Sequence, residues 1–197
     1  MSFDRDAALE KAMLAFWEGG YETTSISDLT AAMGVTAPSI YAAFGDKKRL
    51  FLEALRRYAG DPGALEASLA GTPTAREAVL GIMENAARLY TGEATPPGCL
   101  LASAAATGSK SAADVREAAA HERHVIRSIV VRRIEHDIEQ GFLPQTTQSE
   151  VLADLALAVT QGMSVLARDG ADRDTLLAVA HASMTGWPKS EDWGPTS

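Results

Sequence analysis

At 197 residues the chain is long enough for one sizeable core, or for a small N-terminal domain sharing an interface with a larger C-terminal one. Apolar residues make up 46% and aromatics only 6%, a balance that favours helices over β-structure. A single cysteine, a net charge of −8 and no apolar run near the roughly 20 residues that span a bilayer argue against a disulfide framework, a membrane protein and a uniformly basic nucleic-acid binder.

The opening MSFDRDAALEKAM places acidic residues where a signal peptide needs a basic region, so a cytoplasmic protein is expected. The charge is unevenly spread. Residues 1–59 hold seven Lys/Arg against eight Asp/Glu, whereas residues 60–197 hold eleven against eighteen. Within Phe44–Tyr58 the balance is five basic to two acidic. A near-neutral head with a local basic cluster can still neutralise phosphates, while the acidic remainder limits non-specific adsorption.

Asp4 to Trp17 reads as an amphipathic helix, with Ala8, Leu9, Ala12, Met13, Phe16 and Trp17 at helical spacing and Gly19-Gly20 as its stop. Ser25 is a good N-cap with Asp28 three residues on, close to a capping box. Ile26, Leu29, Ala32 and Met33 then form an apolar face, and Gly34 closes the helix. Thr36 caps the next helix, where Pro38 falls in the first turn and removes no hydrogen bond. In that short helix Ile40 and Phe44 should face inward, leaving Ala37, Ser39, Tyr41, Ala42 and Ala43 nearer the outside. Small residues on an exposed helix let its backbone sink into a major groove, and Tyr41 is suited to bonding a phosphate. Gly45 stops this helix and Asp46 caps a new one. Lys47 at its first position adds an ammonium to free N–H groups and the positive end of the dipole, which makes an anion site.

Thr24-Ser25, Asp28-Leu29, Ala32, Gly34-Val35-Thr36, Ile40-Tyr41, Phe44 and Lys47-x-x-Leu50-Phe51 together closely resemble the N-terminal domain of TetR-type transcriptional regulators. The resemblance covers about residues 5–58. It implies a one-component repressor that loses DNA affinity on binding a small molecule. It also makes Ser25, Ser27, Thr36, Ala37, Ser39, Tyr41 and Lys47 the DNA-binding candidates, and implies that Ser25 and Ser27 contact phosphate or bases, that Ala37 and Ser39 face base edges, and that Tyr41 and Lys47 hold phosphates. Ala42 and Ala43 depart from members with bulkier or polar residues there, which shifts the expected readout toward shape and backbone contacts.

Beyond the head, Leu50 to Tyr58 continues the restarted helix, and Gly60-Asp61-Pro62-Gly63 breaks it. Pro73 to Tyr90 reads as a helix with Ala75, Val79, Ile82, Met83, Ala86 and Leu89 or Tyr90 along its stripe; Thr91 to Gly98 is a loop. Cys99 to Thr107 reads as a short apolar helix. Its Gly-Cys-Leu-Leu resembles one branch of the family, some members of which use a cysteine here to sense electrophiles or oxidants; a buried cysteine packing as a small hydrophobe is the ordinary alternative. Ala112 to Gln140 is a long helix with Val115, Ala119, Glu122, Ile126, Ile129 and Val130 inward. His121 and His124 share a face, but no metal site is expected, since only His136 and His181 remain as further histidines.

Thr147 and Glu150 read as a capping box opening a helix to Arg168 along Val151, Leu155, Ala158, Val159, Gly162, Met163 and Leu166. Asp172 to Trp187 forms the last helix, through Leu176, Leu177, Ala180, Ser183 and Met184. Small residues in this pair (Ala156, Ala158, Gly162, Ala178, Ala180, Ala182) suit a four-helix dimer interface formed by residues 147–168 and 172–187 with a second copy.

The expected fold is all-α: a three-helix helix-turn-helix DNA-binding domain at 1–58, a helical ligand-binding and dimerisation domain at 59–188, and a loose tail at 189–197. The expected partners are a double-stranded operator, a second copy and a small hydrophobic effector, with Met83, Tyr90, Cys99, Leu100, Ser103 and His121 as candidate pocket residues. No membrane partner and no cofactor are expected. An enzyme is disfavoured because the chain has no phosphate-binding glycine loop, metal-ligand set or recognisable nucleophile–base pair.

Overall fold

The computed structural model describes residues 4–105 and 112–188, and its regular elements are all helices. In the head, α1 (Arg5–Gly19) packs across α2 (Ile26–Met33) and α4 (Lys47–Ala59), while α3 (Ala37–Phe44) bridges α2 and α4. Phe16, Trp17, Leu29, Ile40, Leu50, Phe51 and Leu55 are fully buried between them. The body comprises α5 (Pro62–Ala70), α6 (Ala75–Tyr90), α7 (Leu100–Ala105), α8 (Ala113–Glu139), α9 (Ser149–Arg168) and α10 (Arg173–Ser183). Helix α8 runs through its middle, touching α4, α5, α6, α7 and α9. The expected tail, 189–197, lies outside the described residues, as do Ala106 and Thr107.

Several boundaries differ from expectation. Helix α1 continues past Trp17 to Gly19, and Gly20, at φ +83°, makes the stop. Ala32 is exposed rather than on the buried face of α2, and Ala43 of α3 is half-buried against the core. Helix α6 starts at Ala75, because Thr74 takes the cap by accepting from the Glu77 N–H. At its other end Tyr90 is the buried residue and Leu89 is exposed. On α8, Glu122 and Ile126 are only half-buried, while Val115, Ala119, Ile129 and Val130 belong to the core. Helix α5 has no counterpart in the sequence reading. Asp61 caps it and Pro62 starts it, but Leu69 is its only buried residue, so there is no stripe to detect.

The expected capping box on α9 is absent. Gln148 occupies the N-cap without a side-chain bond, and the buried Thr147 Oγ1 has no partner. The helix also turns its faces against simple expectation. Ala153, Ala156, Thr160, Met163, Ser164 and Ala167 point inward, because close approach to α6 and α8 needs small side chains. The larger Val151, Leu155, Val165 and Leu166 lie outside, with Ala158 and Gly162 beside them. On α10, Ala180 is buried, while Ala178 and Ala182 are exposed. Among the described helices α9 alone is long and apolar enough to cross a membrane, at a mean hydropathy of 1.4. Much of that hydropathy is its bare outer face. The same helix carries Asp154, paired with Arg127 of α8.

Candidate nucleic-acid interface and the joint behind it

The surface of α2 and α3 is built by local hydrogen bonds that the sequence dictates. Ser25 and Asp28 close a full capping box: Ser25 Oγ accepts from the Asp28 N–H at 3.1 Å, and Asp28 Oδ2 accepts from the Ser25 N–H at 2.8 Å. The Ser25 hydroxyl also donates to the same carboxylate at 2.7 Å. These bonds, side chain first, hold the Asp28 carboxyl below the usual carboxylate range. Box stability is therefore present above the unfolded pKa and is lost as pH falls through the lowered one. Gly34 ends α2 in the left-handed region at φ +71°, where an L side chain is strained. Thr36 caps α3, receiving the Ser39 N–H at 3.4 Å, and its hydroxyl lies 2.9 Å from Ser39 Oγ.

Ser25 and Thr36 thus spend their hydroxyls on helix ends, which makes them organisers of the surface as much as contacts. Ser27, Tyr41 and Ala42 are exposed, and Ala37 and Ser39 are half-buried. Tyr41, 49% exposed, is the large side chain that stands off the outer face of α3. Ile40 and Phe44 are buried beneath it, as expected.

At the restart, Asp46 caps α4 by accepting from the Arg49 N–H at 2.8 Å. Lys47 does not fold back on its own helix end. Its ammonium sits 4.8 Å above the Tyr21 ring and donates to the Glu22 carbonyl at 3.4 Å. Lys48, next in sequence, pairs with Asp114 at the start of α8 at 2.7 Å, tying head to body.

Behind this surface lies a head–body joint that sequence reasoning missed. The buried Trp17 indole N–H donates to the Gly98 carbonyl at 3.0 Å, and Arg168 of α9 donates to the Trp17 carbonyl at 3.1 Å. The Cys99 N–H donates to the Ser164 hydroxyl at 2.8 Å. Tyr58 of α4 meets Trp17 edge-on at 4.8 Å. Burial, then the neighbouring Cys99 side chain, raises the Tyr58 phenol and that of Tyr90 above the ordinary tyrosine pKa. Cys99 is 3% exposed, so it packs here as a small, sealed side chain. Gly98, at φ +83°, is indispensable. A Cβ there would lie 2.8 Å from Arg168 Nε and 2.9 Å from the Ser164 carbonyl oxygen. Gly98→Ala is expected to destabilise the protein by about 2–4 kcal/mol, combining left-handed strain with overpacking. Thermal unfolding measures the loss, and a shifted Trp17 indole N–H resonance would locate it at the joint.

The candidate pocket residues separate into groups. Tyr90, Cys99 and Leu100 gather at the joint; Met83 is buried further along α6, its sulfur 3.4 Å from the Ser183 hydroxyl. Ser103 is half-buried and bonds the Leu100 carbonyl, while His121 is exposed on α8. A cleft of about 570 Å³ opens beside the joint, lined by Met13, Leu14, Trp17, Tyr58 and Leu89 among others. Among the described residues no group of three or more His, Cys, Asp or Glu is placed to hold a metal ion.

A two-helix reader with small exposed residues, a phosphate-suited lysine and a helical body joined behind it defines a helix-turn-helix transcriptional regulator. The model for "Bacterial regulatory proteins, tetR family" matches residues 8–54, and that for "Tetracyclin repressor-like, C-terminal domain" matches residues 75–183. The chain is 35% identical over 190 residues to the HTH-type transcriptional repressor ComR of Escherichia coli (strain K12), covering 95% of this chain and 90% of that one. It is 28% identical over 180 residues to the repressor BdcR of the same strain, covering 90% and 86%. Among solved structures, a cysteine-substituted TetR-family regulator CifR in complex with a 26-base-pair operator superposes with a TM-score of 0.90 at 39% identity, covering 95% of this chain and 98% of that one. The chain belongs to the TetR family, and it is a transcriptional regulator rather than an enzyme.

Proposed function

We propose that the protein is a cytoplasmic, homodimeric repressor whose two α3 helices enter successive major grooves of a near-palindromic operator, and that a small hydrophobic effector releases it. The carrying observation is the outer face of α3, bare except for Tyr41, which follows the capped α2 and the Gly34 turn, with the Lys47 ammonium held over the Tyr21 ring at the start of the next helix. Ala37 and Ala42 let the helix approach the bases closely, while Ser27, Ser39, Tyr41 and Lys47 supply polar contacts around that approach. That the cysteine-substituted CifR binds a 26-base-pair operator supports operator binding by this chain. The uncovered α9 face, continued by Ala178 and Ala182 of α10, supports pairing with a second copy.

For the effector, the cleft beside Trp17 and Tyr58 is favoured over the packed interior around Met83 and Leu100. Its volume falls within the range of small-molecule sites, and its walls touch both head and body. A guest there biases the joint directly, and by linkage operator binding weakens the guest by the same factor. Replacing Lys47 with alanine is the test for the reader. Removing one phosphate-neutralising lysine should lower the slope of log K against log salt by about 0.9, hence by about 2 for a dimer, and weaken binding uniformly across sequences. An unchanged slope would remove Lys47 from the interface.

A further inference from the structure

Gly19 and Gly20 end α1 and turn the chain so that Tyr21 comes back over the head's aromatic core. Its ring sits edge-on to Phe51, with centroids 5.0 Å apart, and 6.5 Å from Phe16, while Phe16 and Phe51 meet each other at 5.0 Å. Tyr21 is therefore held by two buried rings, which are themselves fully enclosed. Its outward side carries the Lys47 ammonium, 4.8 Å from the ring centroid, and the next residue offers its carbonyl to the same ammonium at 3.4 Å. A lysine side chain has a flexible four-carbon stem and considerable rotamer entropy to lose when it fixes on a ligand. Here a rigid aromatic platform and one carbonyl remove much of that freedom before any DNA arrives.

We propose that Tyr21 is a positioning residue for operator binding: its ring pre-sets the Lys47 ammonium at the edge of the reader surface, so that the lysine meets a backbone phosphate already ordered. The proposal rests on the reading of Lys47 as a phosphate contact. A ring face attracts a cation through its quadrupole, and the attraction survives only while the ring is electron-rich. One face of the ammonium is taken by the ring and one donor by the Glu22 carbonyl, which leaves donors for a phosphate oxygen. Partial burial on the ring lowers the lysine's pKa, opposed by Glu22 and Asp28 nearby. The ring and the carbonyl hold the charge without neutralising it, whereas the neighbouring Lys48 ammonium is committed to the Asp114 carboxylate.

The test is an operator titration across salt with substitutions at both positions. Tyr21→Leu should weaken operator binding about 5- to 30-fold per dimer, on the scale of two exposed cation–π contacts. Tyr21→Phe, which keeps the ring, should bind as the parent does. In a Lys47→Ala background the Tyr21→Leu change should have no further effect. Because leucine at this position also alters the packing on Phe16 and Phe51, a series of fluorinated phenylalanines at position 21 supplies a second measurement at nearly constant shape. Affinity should fall stepwise as fluorine withdraws electrons from the ring. Equal losses from Tyr21→Leu with and without Lys47, or a flat fluorine series, would overturn the proposal and leave Tyr21 as packing alone. A Lys47→Ala protein with parental affinity and salt slope would instead overturn the phosphate reading beneath it.

Discussion

Asp137→Ala is expected to lower the unfolding free energy by about 3–5 kcal/mol, the cost of breaking a buried ion pair from one side. Asp137 is 2% exposed and Arg133, one turn earlier on α8, 8%. The guanidinium bonds the carboxylate, the Leu69 carbonyl at 3.0 Å and the Thr72 carbonyl at 3.2 Å. The other carboxylate oxygen accepts from the Ala75 N–H at 2.6 Å, at the start of α6. One pair therefore fixes the end of α5, the connecting turn and the first turn of α6 to α8. Alanine leaves a buried guanidinium without its counter-charge and an orphaned helix N–H. For a chain of this size the loss corresponds to a melting temperature roughly 6–20 °C lower. Replacing both partners by apolar residues of similar volume should cost less than either single change. A single-mutant loss below about 1 kcal/mol would mean that water reaches the pair.

Leu155→Glu is expected to abolish dimers and to weaken operator binding by about 10²- to 10⁴-fold, the avidity that two linked heads supply. Leu155 is 49% exposed in the middle of the outer face of α9, with Val151 one turn before it, 56% exposed, and Gly162 and Leu166 beyond. In a two-fold interface each substituted residue faces a stretch of its own copy, so two carboxylates enter one apolar seam. Sedimentation at micromolar concentration should show a monomer with unchanged helical content. A dimer that survives the substitution would place the interface elsewhere.

The head was legible because its signals are local. Ser25 with Asp28, Gly34, Thr36 with Pro38, and Asp46 each act within four residues, and each does in the structure what its chemistry requires. The body resisted wherever the decisive partner is distant in sequence. Nothing around Trp17 announces Gly98, 81 positions away, or Arg168, 151 away. Tyr90 and Cys99 are both pocket candidates from the sequence, but nothing around Cys99 announces Tyr58 as its other neighbour. Lys47 reads as adding its ammonium to an anion site at its own helix start, and nothing local announces that this ammonium rests over Tyr21 across the α1–α2 turn. On α9 periodicity located the apolar stripe but not its direction. Two apolar faces are present, and the inner one carries the smaller residues because neighbouring helices come close. Thr147 shows the limit of a spacing rule, since a Thr-x-x-Glu pattern caps nothing when the helix starts two residues later.

The joint ties the body to the reader through hydrogen bonds and ring contacts. Trp17 and Tyr58 belong to α1 and α4 of the head, whereas Gly98, Cys99, Ser164 and Arg168 belong to the body. A shift of α6 or α9 is transmitted through bonds to the end of α1, and Tyr21 follows that end within two residues of Gly19. On the proposed reading, Lys47 would stand at the far end of a set of contacts that runs from the cleft to an operator phosphate. The proposed release by an effector requires a second packing of that joint, one not matched to the operator, for the effector to favour.

Whether paired α3 helices read an operator is decided by footprinting on DNA flanking the protein's own gene. The expected result is a protected, near-palindromic site with half-sites centred about 34–36 Å apart, and loss of that protection at moderate salt with Lys47→Ala. Absence of a protected site there and genome-wide, or protection of a single half-site by a monomer, would contradict it.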